Sequence, residues 1–496
     1  MVEYLCQVFD HVGFFFGFHM IVPSVHLGTV TMSPVSLQLE DLLAPTTPEA
    51  FFRESWEKAP HVIARSAQDH YAGLLSLQDV DQMIAFSRPK FSDQNAFLAA
   101  APPRSTYVRG LLSDQPSLSP STNPGIAELR QVFDSGKSVV IMGMHQRWPA
   151  VASMCRNLEM VFHCPVHANM YLTPAGAQGF SAHYDPHEVF ILQLEGVKHW
   201  RLYERTELLP LASDKVVPPR MPLGVARDVC LKPGDLLYIP RGHVHDAHTT
   251  DTFSLHLTVG INVYRWADLL HHALAWASRR ESRFRESIPG GALPGGVLAG
   301  GNAGLKQQFE KLLAALSDSA QGDRLFEEAA GSLAHQFFGQ LSMLPGTQFS
   351  SSVDLDQIGP ETVLEKQPQT ICCVLENDEG VAIEFPGNRV SGPSRIASAL
   401  RFVASTPCFA VRDLPGELNA QAKVVLARRL IREGLLTPVM QRQPTAPAEC
   451  PTIQESSVPE TTAAGGDVPS DKPGRTVERP ALRSTRPAQQ REVVES

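Results

Sequence analysis

The sequence has no excess of positive charge. Its 496 residues carry 43 Lys and Arg against 52 Asp and Glu, which gives a formal net charge of −9. A protein that binds nucleic acid or an anionic membrane through bulk charge needs a surplus of basic residues. The composition therefore argues against both of these classes.

Cysteine is sparse and scattered. None of the eight cysteines forms a C-x-x-C pair with another. In a chain of this length, such scatter indicates reduced thiols rather than a disulfide framework. We therefore expect no zinc site built from cysteines, and we expect a cytoplasmic location.

No apolar run near the N-terminus is long enough to cross a membrane. The stretch Val12–Val22 falls well short of the roughly 20 residues that a spanning helix needs. It lacks both a preceding basic region and a clear cleavage site, so a signal peptide is not predicted. We expect translation to start at Met32, which makes residues 1–31 a doubtful N-terminal extension; a short N-terminal anchor is the alternative.

Aromatic residues are absent beyond Phe409. From about Arg442 the chain is rich in Pro, Ser, Thr, Ala and Gln, a composition that cannot bury enough apolar surface to order itself. We therefore predict a disordered tail over residues 441–496. The rest of the chain, in a sequence that is 43% hydrophobic with 24 Phe, can build a sizeable core. At roughly 100–200 residues per domain, the length allows two to four domains.

The hydrophobic pattern changes along the central part of the chain. Between Ser138 and Thr258, short β-rich runs alternate with turn residues, a pattern typical of a sandwich or barrel made of two sheets. After Ile261 the period becomes 3.6 residues, which predicts helices.

A final ordered block is predicted from about Ser352 to Met440. It combines strand-like runs at Ile371–Leu375 and Val381–Phe385 with a helix over Asn419–Glu433. Helices beside a two-strand ribbon predict a winged-helix-like module. Residues 352–440 carry nine Lys and Arg against eleven Asp and Glu, a poor electrostatic footprint for DNA or RNA.

Two potential metal ligands stand two residues apart in the β-rich region. On a strand, His183 and Asp185 would point to the same face because side chains alternate. A third ligand should come from another strand that faces the same cavity, and the turn and strand Pro233–His245 end in a histidine. Two histidines and one carboxylate form the facial triad of non-haem Fe(II) oxygenases.

The identity of the third ligand stays open from the residues alone. His243 and His245 share a strand face, and His187 could also point into the cavity. A lone H-x-D is weak evidence in a chain with 18 histidines, and buried structural histidines are the alternative interpretation. Combined with the Pro-Gly-Asp turn and the β-rich surroundings, the pattern predicts a metal site.

Lys198 is a candidate for binding an anion. It follows a glycine turn inside the apolar run between Val189 and Tyr203. An enzyme that uses Fe(II) and 2-oxoglutarate needs a cation to hold the distal carboxylate of that cosubstrate. The bland alternative, an exposed surface lysine, is equally compatible with the spacing.

These motifs resemble those of the JmjC-type ribosomal oxygenases, cupin-fold 2-oxoglutarate enzymes that hydroxylate residues of ribosomal proteins. The resemblance runs from about residue 36 to 437. It is most specific in five segments: Asn169–Pro174, Gln178–Phe180, His183–Asp185, Phe190–Tyr203 and Leu231–Tyr238.

The resemblance implies roles for six residues. His183, Asp185 and His245 are implied as ligands of Fe(II), and Lys198 as the partner of the 2-oxoglutarate carboxylate. Asn169 and Tyr171 match polar residues that line the same pocket. On this basis His187 and His243 are expected to lie beside the ligands or to face the substrate.

The resemblance also implies an α+β architecture. A double-stranded β-helix (cupin/JmjC) barrel would occupy residues 32–262, a helical dimerisation segment 263–345, and a C-terminal winged-helix-like domain 346–440. A homodimer is then expected, without direct DNA binding or membrane association. Gly260, where some members carry a serine in the pocket, and the Gly- and Pro-rich insert Pro289–Gly304 depart from the family pattern.

The expected function is hydroxylation of a protein side chain, His or Arg, on a ribosomal protein. One alternative is the same chemistry on a peptide natural product or a small molecule. A second is a non-catalytic cupin-fold binding protein, and a third is a histone demethylase, although no histone-reading module is recognised in the sequence. Intact ligands together with Lys198 favour an enzyme, and a mildly acidic enzyme suits a basic ribosomal protein.

Overall fold

The structure is a computed structural model, and its described residues lie between Leu37 and Val439. The predicted extension 1–31, the tail 441–496 and most of the insert Pro289–Gly304 lie outside the described residues. Those residues are 37–87, 96–99, 126–205, 208–211, 223–224, 226–289, 302–316, 319–344, 355–367, 369–377 and 380–439.

Two antiparallel sheets dominate the first part of the described chain, as the alternation of short runs predicted. Their strands are β1 (His61–Ile63), β2 (Ala96–Ala99), β3 (Ser138–Ile141), β4 (Val166–Thr173), β5 (Glu188–Gly196), β6 (Lys198–Arg205), β7 (Arg227–Leu231), β8 (Leu236–Ile239), β9 (His243–His248) and β10 (Ser254–Ile261). The larger sheet has the order β1-β8-β5-β10-β4-β3-β2, and the smaller has the order β7-β6-β9. Both consist of antiparallel pairs.

Strand β5 is apolar on both faces because both faces are covered. Val189 and Ile191 belong to a buried cluster that also contains Trp200 of the smaller sheet. Phe190 and Leu192, which alternate with them, point to the opposite side and into the largest core cluster. A continuous hydrophobic run is what a strand buried on both sides requires.

Helices cover the outer face of the larger sheet. Thr47 caps one of them by accepting a hydrogen bond from the Ala50 N–H at 3.2 Å. From this helix, Phe51 packs against Phe190 and Tyr238 with ring centroids 5.6 and 4.8 Å apart. The helices of this part of the chain are α1 (Leu39–Leu43), α2 (Pro48–Glu54), α3 (Leu77–Ser87), α4 (Ile126–Asp134) and α5 (Pro149–Phe162).

Three helices follow the barrel: α6 (Trp266–Arg280), α7 (Asn302–Leu316) and α8 (Ser319–Gln340). Helices α6 and α8 are joined by His272, whose ring nitrogens lie 2.8 Å from Ser332 Oγ and 3.0 Å from Gln336 Oε1. Within the described residues, every helix is too short or too polar to span a lipid bilayer.

The last part of the described chain contains two helices and two three-stranded sheets, where the pattern predicted a two-strand ribbon. The elements are β11 (Val363–Lys366), β12 (Cys373–Asn377), β13 (Gly380–Phe385), β14 (Asn388–Gly392), α9 (Ala397–Ser405), β15 (Cys408–Ala410), α10 (Ala420–Arg432) and β16 (Leu436–Pro438). The sheets have the orders β15-β11-β16 and β12-β13-β14. Asn419 caps α10 through the Ala422 N–H at 2.8 Å, so the helix predicted over Asn419–Glu433 is confirmed to within one residue at each end.

Candidate metal centre

Two segments of the barrel bring the candidate ligands together. His183 and Asp185 precede β5, and His245 lies within β9. His183 and His245 pair through their backbones, with reciprocal N–H···O distances of 3.0 and 2.7 Å. The Gly242 N–H also donates to the Asp185 carbonyl at 3.0 Å. The ligand segments are therefore fixed against each other by main-chain hydrogen bonds.

The prediction that His183 and Asp185 lie on a regular strand is wrong. His183 forms an isolated bridge, and β5 begins only at Glu188. The chain bends at Pro186 and His187, and proline has no N–H to donate to a ladder, which explains the difference. The two side chains nevertheless point to the same place.

The three side chains form a compact donor set. One ligand atom from each of His183, Asp185 and His245 lies within 4.8 Å of the other two, the only such group of three found among the described residues. His245 Nε2 is 3.6 Å from Asp185 Oδ2, and the two imidazole centroids are 4.6 Å apart. Two imidazoles and a carboxylate at this separation can share one metal ion.

Hydrogen bonds fix which nitrogen each imidazole offers. His183 Nδ1 lies 2.8 Å from the Ser181 carbonyl, and His245 Nδ1 lies 3.0 Å from the His243 carbonyl. A carbonyl oxygen only accepts, so each Nδ1 carries a proton, and in the neutral ring each Nε2 keeps its lone pair. This is the tautomer that a metal-binding histidine needs, and the site therefore fits a metal ion.

Burial and neighbouring groups set the protonation states of the site. Burial lowers the pKa of His245 to about 4, with a further contribution from His183 and opposition from Asp185. Burial acts to raise the pKa of Asp185, but the surrounding imidazoles, His187 first among them, hold that pKa below its ordinary value. At neutral pH the centre thus presents a neutral His245 and an ionised carboxylate, which is the form that binds metal.

The two rival histidines lie beside this cluster. The His243 carbonyl accepts from His245 Nδ1, and its ring is not part of the donor set. The His187 ring packs edge-on against His167 at a centroid distance of 4.9 Å. The structure thus groups His245, rather than His187 or His243, with His183 and Asp185.

Lys198 is buried in the barrel, with 3% of its surface exposed, which excludes the surface alternative. Its Nζ donates to Thr173 Oγ1 at 2.7 Å, and the Ser138 hydroxyl donates to the same oxygen at 3.0 Å. Burial lowers the pKa of Lys198 to about 7. Within the described part of the chain no carboxylate forms an ion pair with this amine, so it is suited to an anionic ligand.

Asn169 and Tyr171 share the face of β4 that carries Thr173. Asn169 Oδ1 accepts a hydrogen bond from the Gly143 N–H at 3.1 Å, and burial raises the pKa of Tyr171. Tyr171 stacks in parallel on His256, with centroids 4.9 Å apart. The structure therefore places the two predicted pocket residues on the same side of β4 as the hydroxyl that holds Lys198.

Sequence reasoning missed Thr173 and His256. Thr173 could have been predicted from the sequence, because it follows Asn169 and Tyr171 at the same two-residue spacing. His256 could not have been predicted, because its position opposite Tyr171 depends on the pairing of β10 with β4. Its ring is buried, and its Nδ1 has no hydrogen-bond partner among the described residues.

Gly260 has a steric role at the edge of the site. It lies opposite His167 in the pairing of β10 with β4. A Cβ at this position would be 2.3 Å from the His167 ring, too close for any side chain without displacement. The departure from the family pattern at Gly260 therefore makes room for a histidine that packs on His187.

Comparisons with known proteins agree with this geometry. Residues 143–269 match the family model described as the JmjC domain, a range that contains the metal cluster and Lys198. The chain is 36% identical over 248 residues to Ribosomal oxygenase 2 of Mus musculus, covering 48% of this chain and 50% of that protein. It is 34% identical over 259 residues to the bifunctional lysine-specific demethylase and histidyl-hydroxylase NO66 of Aedes aegypti, covering 50% of this chain and 39% of that protein.

Among solved structures, the Escherichia coli ribosomal oxygenase YcfD has a TM-score of 0.48 and 16% identity, covering 79% of this chain and 98% of that chain. The chain spans half or less of the length of the two curated relatives just named. The family and relative matches confirm the resemblance to the JmjC-type ribosomal oxygenases, and the barrel has a JmjC/cupin fold.

Replacing Lys198 by Met should remove a pH dependence of stability. The pKa of Lys198 falls from 10.5 to about 7 on folding, so between these values the unfolded state binds more protons and the wild-type unfolding free energy rises with pH. The Lys198→Met protein lacks this contribution. Its advantage in unfolding free energy over the wild type should be greatest at and below pH 7, on the order of a few kcal/mol, and should shrink toward pH 10. Urea unfolding of both proteins across this range measures the difference, and a constant difference would contradict the burial argument.

Proposed function

We propose that this chain is an Fe(II)- and 2-oxoglutarate-dependent oxygenase that hydroxylates a His or Arg side chain of a ribosomal protein. The observation that carries the proposal is the presence, in one barrel, of a His-Asp-His donor set and a buried lysine without a carboxylate partner among the described residues. A metal-binding protein without turnover needs the first feature but not the second.

The residues divide into a metal end and a carboxylate end. His183, Asp185 and His245 would hold Fe(II), and Lys198 with Thr173 would hold the distal carboxylate of 2-oxoglutarate. When bound, the iron and the cosubstrate supply an oxygen-activating chemistry that no side chain possesses. The chain itself fixes the imidazole tautomers, keeps one carboxylate ionised and surrounds Lys198 with buried groups that exclude water.

The choice of substrate draws on the relatives and on charge. Ribosomal oxygenase 2 and the histidyl-hydroxylase NO66 are named for this class of reaction. The formal net charge of −9 favours a basic partner such as a ribosomal protein. Lysine demethylation also stands in the name of NO66, and experiments on substrates must separate it from hydroxylation.

The proposal includes an architecture. Residues 32–262 form the catalytic domain, 263–345 a helical segment that forms a homodimer, and 346–440 a winged-helix-like domain that does not read DNA. A cytoplasmic location is part of the same proposal. The homodimer is supported by an apolar surface of α6, where Trp266 and Leu270 are 70% and 66% exposed. Contiguous exposed apolar residues on a helix are typical of an interaction surface.

Replacing His183 by Ala should abolish cosubstrate turnover, because two ligands hold the metal far more weakly than three. We expect succinate formation from 2-oxoglutarate, measured with Fe(II) present, to fall to the background rate. The matched control is His199→Ala, because His199 packs on His248 rather than on a ligand and should leave turnover unchanged. If the His183→Ala protein forms succinate at the wild-type rate, the ligand assignment is wrong.

Ribosomal proteins from cells that lack this protein should differ by one oxygen from those of wild-type cells. Tandem mass spectrometry would locate the added oxygen on a His or Arg residue, and restoring the wild-type gene but not the His183→Ala form should restore it. A lysine methyl group that is present in the deletion cells and missing from the wild-type cells would instead indicate demethylation. No difference in any ribosomal protein would favour a peptide natural product or a small molecule as substrate.

Replacing Leu270 by Glu should convert a dimer into a monomer, because it places a charge in the apolar surface of α6. The molecular mass measured by light scattering after gel filtration should halve at micromolar concentration. Leu208→Glu is the matched control, since Leu208 is 69% exposed and lies outside the helical segment. A wild-type protein that is already monomeric would contradict the proposed dimer.

A further inference from the structure

We infer that Arg241, Glu188 and Tyr238 are positioning residues that hold the two metal-ligand segments in register. This inference rests on the proposed metal site, and it concerns residues that do not touch the metal position themselves. The three side chains form a buried network, here called the Arg241 network, together with the half-buried Glu57.

The Arg241 network is dense in polar contacts. Arg241 Nε lies 3.2 Å from Glu188 Oε1, and the Arg241 backbone N–H donates to Glu188 Oε2 at 3.4 Å. The Tyr238 hydroxyl donates to Glu188 Oε2 at 2.5 Å. The Glu57 N–H donates to the Tyr238 hydroxyl at 2.8 Å, and the Glu57 carboxylate pairs with the Arg241 guanidinium.

The position of the network along the chain gives it its significance. Glu188 follows Asp185 by three residues, and Arg241 precedes His245 by four residues. The contact of Glu188 with Arg241 therefore joins the same two segments that His183 and His245 join through their backbones. The Gly242 N–H bond to the Asp185 carbonyl also joins these segments, and the contact of Glu188 with Arg241 adds a side-chain attachment further along both of them, which restricts how they pivot about the backbone bonds.

Stability alone does not account for such a network. Burying an arginine and a carboxylate requires removing both charges from water, and the attraction between them often only offsets that penalty. Apolar side chains would pack at least as well here, since Phe51 and Phe190 already surround Tyr238. Hydrogen bonds to charged groups have defined directions, which apolar contacts lack. The orientation of metal-ligand side chains depends on such directional contacts from neighbouring groups.

Metal binding without turnover tests the inference. The full-length, metal-free protein is titrated with Co(II) alone, followed by visible absorbance, and its urea unfolding is measured in parallel. We expect Arg241→Lys, Glu188→Gln and Tyr238→Phe each to weaken Co(II) binding by about 10- to 100-fold, as is typical when groups that orient metal ligands are removed. Because Arg241 and Glu188 act together, the double variant should bind little more weakly than either single variant.

A second buried ion pair provides the matched control. Arg156 and Glu159 on α5 are 2.8 Å apart and similarly buried, and Arg156 also donates to the Ser342 carbonyl. Arg156→Lys should lower the unfolding free energy but leave the affinity for Co(II) within about twofold of wild type, because neither residue contacts a ligand segment near His183 or His245.

The outcomes separate this inference from the proposed function. If the network variants lose stability but bind Co(II) like the wild type, the network is only structural and the inference is wrong. Should Arg241→Lys fail to fold, Tyr238→Phe decides, because it removes one hydroxyl and keeps the ion pair. If the wild type itself does not bind Co(II), the proposed metal site fails and the inference fails with it.

Discussion

The backbone pairing of His183 with His245 is the constraint on which the rest of the site depends. It brings a segment outside the regular sheet against β9 and sets the two imidazoles 4.6 Å apart. Because each Nδ1 is held by a carbonyl two residues earlier in its own segment, the same local geometry fixes position and tautomer together. The donor set is thus largely preorganised, and a metal ion would not have to order the chain in order to bind.

The second constraint is the burial of Lys198. A primary amine in a barrel interior is unfavourable unless something compensates for the lost hydration. Here the compensation within the described residues is a hydroxyl from Thr173, itself held by Ser138. The protein tolerates this arrangement because the pKa of the amine falls to about 7, so that a neutral form is accessible when the pocket is empty. An incoming carboxylate would restore the charge.

The sequence allowed the strands and the pairing of His183 with Asp185 to be predicted, because both depend on short-range periodicity, whereas His245 followed only from the resemblance to the JmjC-type ribosomal oxygenases. The alternating and fully apolar runs of β4, β5 and β8 indicated the sheets. The side chains of His183 and Asp185 lie together, as their two-residue spacing predicted, although these residues are not on a strand. What depends on pairing between distant strands could not be predicted. The stacking of His256 on Tyr171, the space that Gly260 leaves for His167 and the contact of Arg241 with Glu188 all follow from register across the barrel.

Charge is distributed unevenly across this interior, and that distribution favours one orientation of a ligand. Burial keeps His245 and His167 neutral by lowering their pKa values to about 4 and about 3, while Asp185 stays ionised. The metal end therefore contributes a single negative charge, which a divalent cation would more than neutralise. Lys198, whose pKa burial lowers to about 7, supplies a positive charge at the other end when a carboxylate binds beside it. A dicarboxylate that carries a chelating group at only one of its ends would then bind in one orientation, with the chelating group on the metal and the other carboxylate on Lys198. The reverse orientation would place the chelating group on the amine and a lone carboxylate on the metal.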